Sequence, residues 1–450
     1  MTHQINRRDF LKSTALAGAG FWAAHRTVWA GMKSPNEKLN IAGIGVGGRG
    51  SGDIDGVKSE NIVALCDVDR SRAGGTFKSF PKARRYKDFR VMLEKEHKNI
   101  DAVVVATPDH VHAPAAVMAM KLGKHVYCEK PMTHTVYEAR VMRETAAKYK
   151  VATQMGNQGT ASDGLRRAVE LLQTGVLGPV REVHVWTDRP IWPQGSDAIL
   201  QHAGVKNALH GGGIAPQAPS GLEWDLWLGP APFRPYDPIY LPFKWRGWWD
   251  YGTGSLGDMA CHTMNMPYWG LKLGAPTSIV AEVSELNPET APEWSIIRYE
   301  FPARGNLPPL SFTWYDKFKK PPAELFEGEK VSNSGSLIIG EKGKLYSPGD
   351  TGDTYRLLPK RKFEGFKGPA EFIPRSPGHH REWILACKGG PPAMSNFNYA
   401  GPLTEMVVLG NVAMRVPGEK LEWDAANLKV TNNAKANQLI RTEYRKGWTL

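Results

Sequence analysis

A doubly wound parallel α/β domain followed by a strand-rich α+β domain is the fold class this sequence predicts, and three observations predict it. The first is an apolar run, "LNIAGIGVGGRGSG" (39–52), that enters a cluster of glycines. The second is the alternation after it, in which short apolar runs recur between stretches of helical periodicity as far as about residue 156. The third is a change of texture beyond that point, to a Pro-, Gly- and Trp-rich stretch at 189–254 and then to β-rich runs over 276–315. Strands alternating with helices build a parallel sheet whose ligand-bearing loops leave the strand C-termini. A chain of 450 residues has room for two such domains.

Taken in order, the chain opens on "INRRDFLKSTALAGAGFWAAHRTVWAG" (5–31): paired arginines, a short Ala/Gly-rich apolar stretch, then Val28 and Ala30 as small residues suited to signal cleavage. It looks like a twin-arginine export signal over residues 1–30, which implies a periplasmic or cell-envelope location and export of a folded, cofactor-loaded protein. The apolar stretch is too short for a stable membrane span, so none is expected in the mature chain.

The first strand then delivers Gly43-x-Gly45-x-x-Gly48, and "NIVALCDVD" (61–69) supplies a second strand ending at Asp67, 24 residues after Gly43. Glycines there permit a tight turn and close approach to a pyrophosphate at a helix N-terminus, while an acidic residue at that offset accepts ribose hydroxyls. The pattern predicts a dinucleotide site over 38–156 that takes NAD; a 2′-phosphate would meet the Asp67 carboxylate, although Arg49 or Arg70 gives NADP some tolerance. Next come a helix-like "YKDFRVMLEKE" (86–96), a buried strand at 102–106, "TPDHVHA", an amphipathic helix, and the short strand "HVYCEKP". Thr107, Pro108, Glu129, Lys130 and Pro131 all stand at strand ends, where the nicotinamide chemistry must occur. Past them, "KVATQMGNQG" brings Asn157 and Gln158 off another strand end beside the cofactor.

Further on, "YGTGSLGDMACHTMN" (251–265) sets Asp258 and His262 four residues apart, one helical turn on one face. Two readings are open from the spacing: Ser255-x-x-Asp258 fits a capping box, and Asp258 with His262 also fits a proton relay. "GSLIIGEKGKLYSPG" (335–349) reads as two strands about a glycine turn.

Composition narrows the partners. The formal charge of +12 is spread in short clusters with acidic residues between them, so no nucleic-acid stripe is expected. Four distant cysteines and scattered histidines give no zinc spacing, and no metal site is expected. Fifteen tryptophans suit either an ordinary core or the aromatic wall of a sugar cleft.

In the ordered set "GIGVGGRG", "CDVD", "ATPDHVHA", "HVYCEKP", "GSLGDMACH" and "HREWILACKGG…SNFNYAGPLTEMVVLGNVAMR", the chain resembles the Gfo/Idh/MocA oxidoreductases. The resemblance implies an N-terminal Rossmann domain and a C-terminal domain over 157–450 built on an open, predominantly antiparallel sheet, a surface for homo-oligomer contacts. It places the family's EKP lysine on Lys130 and its D-x-x-x-H pair on Asp258 and His262 as the catalytic set. The cofactor set it implies is Gly43, Gly45, Gly48, Arg49, Asp67, Thr107, Pro108, His112, Glu129, Lys130 and Asn157. The expected activity is NAD-dependent hydride transfer at a carbinol carbon of a carbohydrate, polyol or glycoside: His262 is the base, Asp258 orients or tunes the imidazole, and Lys130 steadies the alkoxide. A glycoside-cleaving or epimerising enzyme with internally recycled NAD uses the same residues. A silent sugar-binding protein would have no need of them. The 189–254 expansion departs from compact family members and is the expected substrate wall.

Overall fold

The computed structural model describes residues 37–202 and 216–450. The expected signal at 1–30 and part of the 189–254 insertion lie outside them.

The N-terminal half is a six-stranded, all-parallel sheet in spatial order 3-2-1-4-5-6, built from β1 (Asn40–Ile44), β2 (Asn61–Cys66), β3 (Arg84–Tyr86), β4 (Ala102–Val105), β5 (His125–Cys128) and β6 (Thr153–Met155). The order reverses between β1 and β4, and it is there that the strand C-termini open a crevice for a ligand. Helices α1 (Arg49–Gly56), α2 (Gly74–Ser79), α3 (Phe89–Glu96), α4 (Asp109–Lys121) and α5 (Val136–Tyr149) make the crossovers. β4 reads AVVV and is wholly buried, as a central parallel strand covered on both faces must be. α5 begins with a complete capping box between Thr135 and Glu138, which satisfies backbone N–H groups that would otherwise be orphaned. Where an amphipathic helix was expected, α4 is buried on almost every face. Its sheet side packs on β4 and β5, α5 packs along it, and the insertion covers the outside, so its polar residues bond to those neighbours: His110 to the Trp227 and Tyr251 carbonyls, and His112 to those of Thr107 and Pro131.

After α6 (Asp163–Gln173) the chain enters a nine-stranded sheet in order 13-12-11-7-10-9-8-14-15: β7 (Val180–Trp186), β8 (Ser278–Val283), β9 (Ser295–Phe301), β10 (Leu310–Tyr315), β11 (Gly335–Gly340), β12 (Gly343–Pro348), β13 (Arg356–Leu358), β14 (Leu421–Asp424) and β15 (Lys429–Val430). Only the β7–β10 pair is parallel; the rest run antiparallel. β11 and β12 form the hairpin read from "GSLIIGEKGKLYSPG". Before β8 the chain forms α7 (Trp224–Leu228), α8 (Gly254–Thr263) and α9 (Asn265–Gly270), and after β13 it forms α10 (His379–Cys387) and α11 (Phe397–Met414).

Two helices of the second half lock the halves together. α11, apolar on most of its surface, packs on α5 and on β8. α10 returns to the first sheet, where Trp383, Ile384 and Cys387 share one core with Leu39, Ile41, Val46 and Leu65. The parallel sheet therefore takes part of its cover from a helix more than 200 residues downstream of its last strand.

Candidate active site

The glycine loop between β1 and α1 is tight for steric reasons. Gly45 has φ +75°, and a Cβ there would lie 2.8 Å from the Ala106 carbonyl. Gly50, in the first turn of α1, faces Gly45 so closely that a Cβ would fall 1.8 Å from its carbonyl oxygen. Gly50 was not singled out by the sequence pattern, although it makes the closest approach. Gly43 and Gly48 act from behind: Gly43 makes room for Ile54, and Gly48 is the residue before α1.

The end of β2 meets this loop. Asp67 Oδ2 accepts N–H bonds from Val46 (2.8 Å) and Gly47 (2.9 Å), and Oδ1 accepts from Asp69 (2.9 Å). Burial pushes this carboxyl up from its usual range, and those backbone donors work against the shift. The Arg72 side chain, rather than Arg70, lies over Gly47 and Gly48.

A cavity of about 400 Å³ runs from Asp67, Asp69 and Arg72 past Thr107 and Pro108 to Glu129, Lys130, Asp258 and His262. It joins residues that the sequence scatters over almost two hundred positions. Its outer wall is the insertion, which contributes Trp227, Phe243, Trp245 and Arg246. Behind that wall Trp227, Tyr240, Trp248 and Tyr251 form a buried aromatic cluster, so the Trp-rich insertion makes both a core and a cavity face.

At the reactive end, Lys130 Nζ donates to Asp258 Oδ1 (2.8 Å) and to the Asp258 carbonyl (2.7 Å), and Arg246 Nε donates to the same Oδ1 (3.1 Å). Burial alone would raise the Asp258 carboxyl, but the two cations hold it well below the usual carboxylate range. The Asp258 carboxylate bonds Lys130 and Arg246 and not the His262 ring, so it acts on the imidazole through its charge, which favours the protonated ring against burial and Lys130. His262 Nδ1 is buried without a hydrogen-bond partner. Burial, with Lys130 next, lowers that imidazole to about 3, so it is neutral at physiological pH. The capping box does not form either. α8 starts at Gly254 with no side-chain cap, and Ser255 Oγ donates to Asp316 instead.

Besides Gly43 and Gly48, two members of the expected cofactor set lie behind the cavity. His112 is buried, reaching the carbonyls of Pro131 (2.8 Å) and Thr107 (2.7 Å). It ties the two strand ends together, and burial lowers its ring to about 4. Asn157 accepts from Ser395 Oγ (2.5 Å) and donates to the Cys261 carbonyl (3.3 Å), and its neighbour Gln158 faces the cavity. A strand's side chains alternate sides and the turn after it continues to rotate them, so adjacent residues take opposite roles. Asp109, quoted within "TPDHVHA" but given no role there, also faces the cavity. It accepts from Thr253 Oγ1 (2.7 Å), and burial, opposed by that bond and by Arg246 and Lys130, lifts it to about 7.

The residues fit a dinucleotide. Gly45 and Gly47 leave the cavity side of the loop before α1 free of side chains of their own, Asp67 stands at the ribose position, and the His262 imidazole lines the far end. Among the described residues no His/Cys/Asp/Glu group could hold a metal ion, and no helix is long and apolar enough to cross a membrane.

Comparison with known proteins gives matches to both halves. Residues 39–157 match a model described as an oxidoreductase family with an NAD-binding Rossmann fold, and residues 206–307 match that family's C-terminal alpha/beta domain. A glycosyl hydrolase family 109 protein of Shewanella pealeana is 28% identical over 207 residues, 39% of this chain and 44% of that protein. The chain thus spans under half the length of the curated relatives it matches. Among solved structures, the WlbA dehydrogenase of Bordetella pertussis in complex with NADH and UDP-GlcNAcA superposes with a TM-score of 0.58 at 17% identity, over 86% of this chain and 99% of that one. The aldose-aldose oxidoreductase of Caulobacter crescentus gives 0.55 at 18% identity, over 86% and 100%. These likenesses show a shared fold.

Proposed function

Since this chain belongs to the Gfo/Idh/MocA oxidoreductase family, whose Rossmann module binds NAD, we propose that it moves a hydride between NAD and a carbinol carbon of a carbohydrate, polyol or glycoside. The observation that carries this reading is the single cavity in which the glycine loop and Asp67 stand at one end and Lys130, Asp258 and His262 at the other.

NAD, when bound, supplies the hydride acceptor. The chain's residues handle the rest. His262 lines the cavity as a neutral imidazole, so it takes the hydroxyl proton. Lys130 steadies the developing alkoxide as a cation in a water-poor site. Asp258 fixes the Lys130 ammonium and Arg246 in place, which makes it a positioning residue for the cations, and its charge tunes the imidazole.

A second reading keeps NAD bound throughout: transient oxidation acidifies the neighbouring carbon, which loses its proton as the glycosidic substituent leaves as an alcohol, water adds across the double bond so formed, and the carbonyl is reduced again. The insertion favours it. Residue 222 pairs with Asp69, Glu223 N donates to the Val68 carbonyl, and Lys87 pairs with Glu223, so the wall over the cavity is fastened to the edge of the cofactor domain. The relatives named glycosyl hydrolase family 109 point the same way.

Mass analysis of the nucleotide that co-purifies, then a glycoside screen read by chromatography and by nicotinamide absorbance, tests both. Product with accumulating NADH supports net oxidation, and product without it supports recycling. A protein that neither carries nor binds NAD ends both readings. We also propose twin-arginine export to the cell envelope, supported by Arg7 and Arg8, and a homo-oligomer through the C-terminal sheet. Light scattering tests the second.

A further inference from the structure

A second chamber lies behind the loop that leads through Tyr251, Gly252 and Thr253 into α8, and no step of the mechanism above uses it. Its volume is about 110 Å³, and His134, Ala231, Trp249, Asp250, Arg415 and Tyr444 stand in its walls. A recess of about 20 Å³, sharing His134, Trp249, Arg415 and Thr442 with it, continues to Asn411. Thr442 is exposed, which gives the chamber a way out to solvent. By size the chamber takes several waters or one molecule of about four to six heavy atoms, and the recess takes one water.

Two polar groups reach this space without partners. Arg415 follows the last turn of α11, and Asn411 stands one turn earlier on the same face. Arg415 Nε and Asn411 Oδ1 are both buried with no hydrogen-bond partner, and Asn411 is only 8% exposed. The Trp249 ring lies 4.3 Å from the guanidinium carbon, so it covers a face of that group and leaves the N–H edge open. Among the described residues no carboxylate pairs with Arg415, because those in the same region have other partners. Asp250 and Glu289 accept from Arg234 (2.6 and 2.9 Å), and Glu138 accepts from Tyr444 and from the backbone of His134 (3.0 Å) and Thr135 (2.9 Å). Burial pulls the guanidinium down to about 10, with the charge of Asp250 working against it. Arg415 and Arg234 together match Asp250 and Glu289 in charge, so it is the unused N–H edge rather than net charge that asks for a ligand. A guanidinium carries five N–H donors, and burying them without acceptors is costly.

We propose that this chamber is a binding site for a small carboxylate with a single negative charge, between acetate and lactate in size. Its two oxygens meet the edge of Arg415 in the fork geometry that guanidinium and carboxylate share. Its carbon end lies against Pro230, Ala231 and Pro232, and a water in the recess donates to Asn411 Oδ1. Asp250 and Glu138, in the same lining, turn away a dianion such as sulfate. The occupied chamber braces the loop in front of it. His134 Nε2 faces the Gly252 carbonyl (3.2 Å) on that loop, and Thr253 Oγ1 at its end donates to Asp109 in the main cavity (2.7 Å), so a ligand there stiffens the approach to α8.

Calorimetry and thermal melts of the full chain, at neutral pH and fixed ionic strength, test the site with three probes: sodium acetate, its uncharged analogue acetamide, and sodium sulfate. Acetate should bind with a dissociation constant of about 0.1–10 mM and raise the melting temperature until the site is full. Acetamide and sulfate should do neither. Arg415→Gln removes the fork and should weaken acetate at least ~10-fold. Ala231→Leu keeps Arg415 and fills the chamber from another wall, and it should weaken acetate as much. Melts without acetate show whether each variant folds, and if Arg415→Gln does not, Ala231→Leu together with the three probes decides. A wild-type chain that shows no saturable binding of acetate overturns the proposal. So does acetamide or sulfate binding as tightly as acetate, or acetate binding that survives in either folded variant. None of these measurements uses NAD or a carbohydrate, so the hydride-transfer reading and this site stand or fall separately.

Discussion

His262 and Asp258 show why residue identity and residue role are separate questions. Four positions apart on a helix, they share a face, yet the carboxylate turns to the two cations that can compensate its burial. An uncompensated buried charge costs several kcal/mol, and an unpartnered neutral ring nitrogen costs far less. The imidazole is thereby left neutral at the cavity wall, the state a base needs before it acts. His262→Ala should leave the melting temperature and NAD affinity nearly unchanged and lower turnover by ~10²–10⁴. Steady-state kinetics on the substrate found by the screen reads this directly, and wild-type turnover in the variant would remove His262 as base.

At the scale of elements, the loop from β1 into α1 works because backbone meets backbone. Gly50→Ala would drive a methyl group into the Gly45 carbonyl, and no flexible side chain is there to yield. Its expected outcome is a fall in both melting temperature and NAD affinity, the latter by more than ~10-fold, since α1 can no longer close on the loop. Gly52 is the control. It lies on the exposed side of the same helix with nothing within 4 Å of a Cβ, so Gly52→Ala should raise stability by about 0.5–1 kcal/mol, as alanine replaces glycine in a helix interior. Thermal melts and calorimetry of the two variants, side by side, separate crowding from helix propensity. If Gly50→Ala binds NAD normally, the close approach is not what shapes the site.

On the scale of the whole molecule, the C-terminal tail holds the cavity wall. Arg445 Nη1 pairs with Asp225 Oδ1 (2.5 Å), its Nε donates to the Gly229 carbonyl (2.5 Å), and its backbone N–H donates to Pro230 (3.0 Å). The same tail reaches the cofactor domain, where Trp448 lies beneath Arg90 and against Phe89. Arg445→Ala should loosen α7 and the insertion and speed NAD dissociation severalfold. The effect stays modest because Asp225 is largely exposed and solvent screens that pair. A displacement experiment with excess NADH measures the rate, and an unchanged rate would free the tail from any part in retention. At the other end of the chain, replacing both Arg7 and Arg8 by Lys should strand the precursor in the cytoplasm. Cell fractionation reads the outcome, and normal envelope delivery would end the export proposal.

The parallel sheet, its glycine loop and Asp67 were legible in the sequence because they rest on local facts: apolar runs of strand length, glycines where side chains cannot fit, and one carboxylate at a set distance along a βαβ unit. The β11–β12 hairpin was legible for the same reason. Other features depended on which distant groups arrive at one point. Arg246 comes from the insertion to claim Asp258, Arg72 swings over the loop, Asn157 turns inward while Gln158 faces the cavity, and His380 returns from the far half of the chain to meet Asp53. Periodicity reports which side of an element a residue occupies, but a buried charge is satisfied by whichever partner is nearest in space. The chain's order determined the scaffold of the site, and only its folded packing decided the pairing of charges and hence the protonation states on which the chemistry depends.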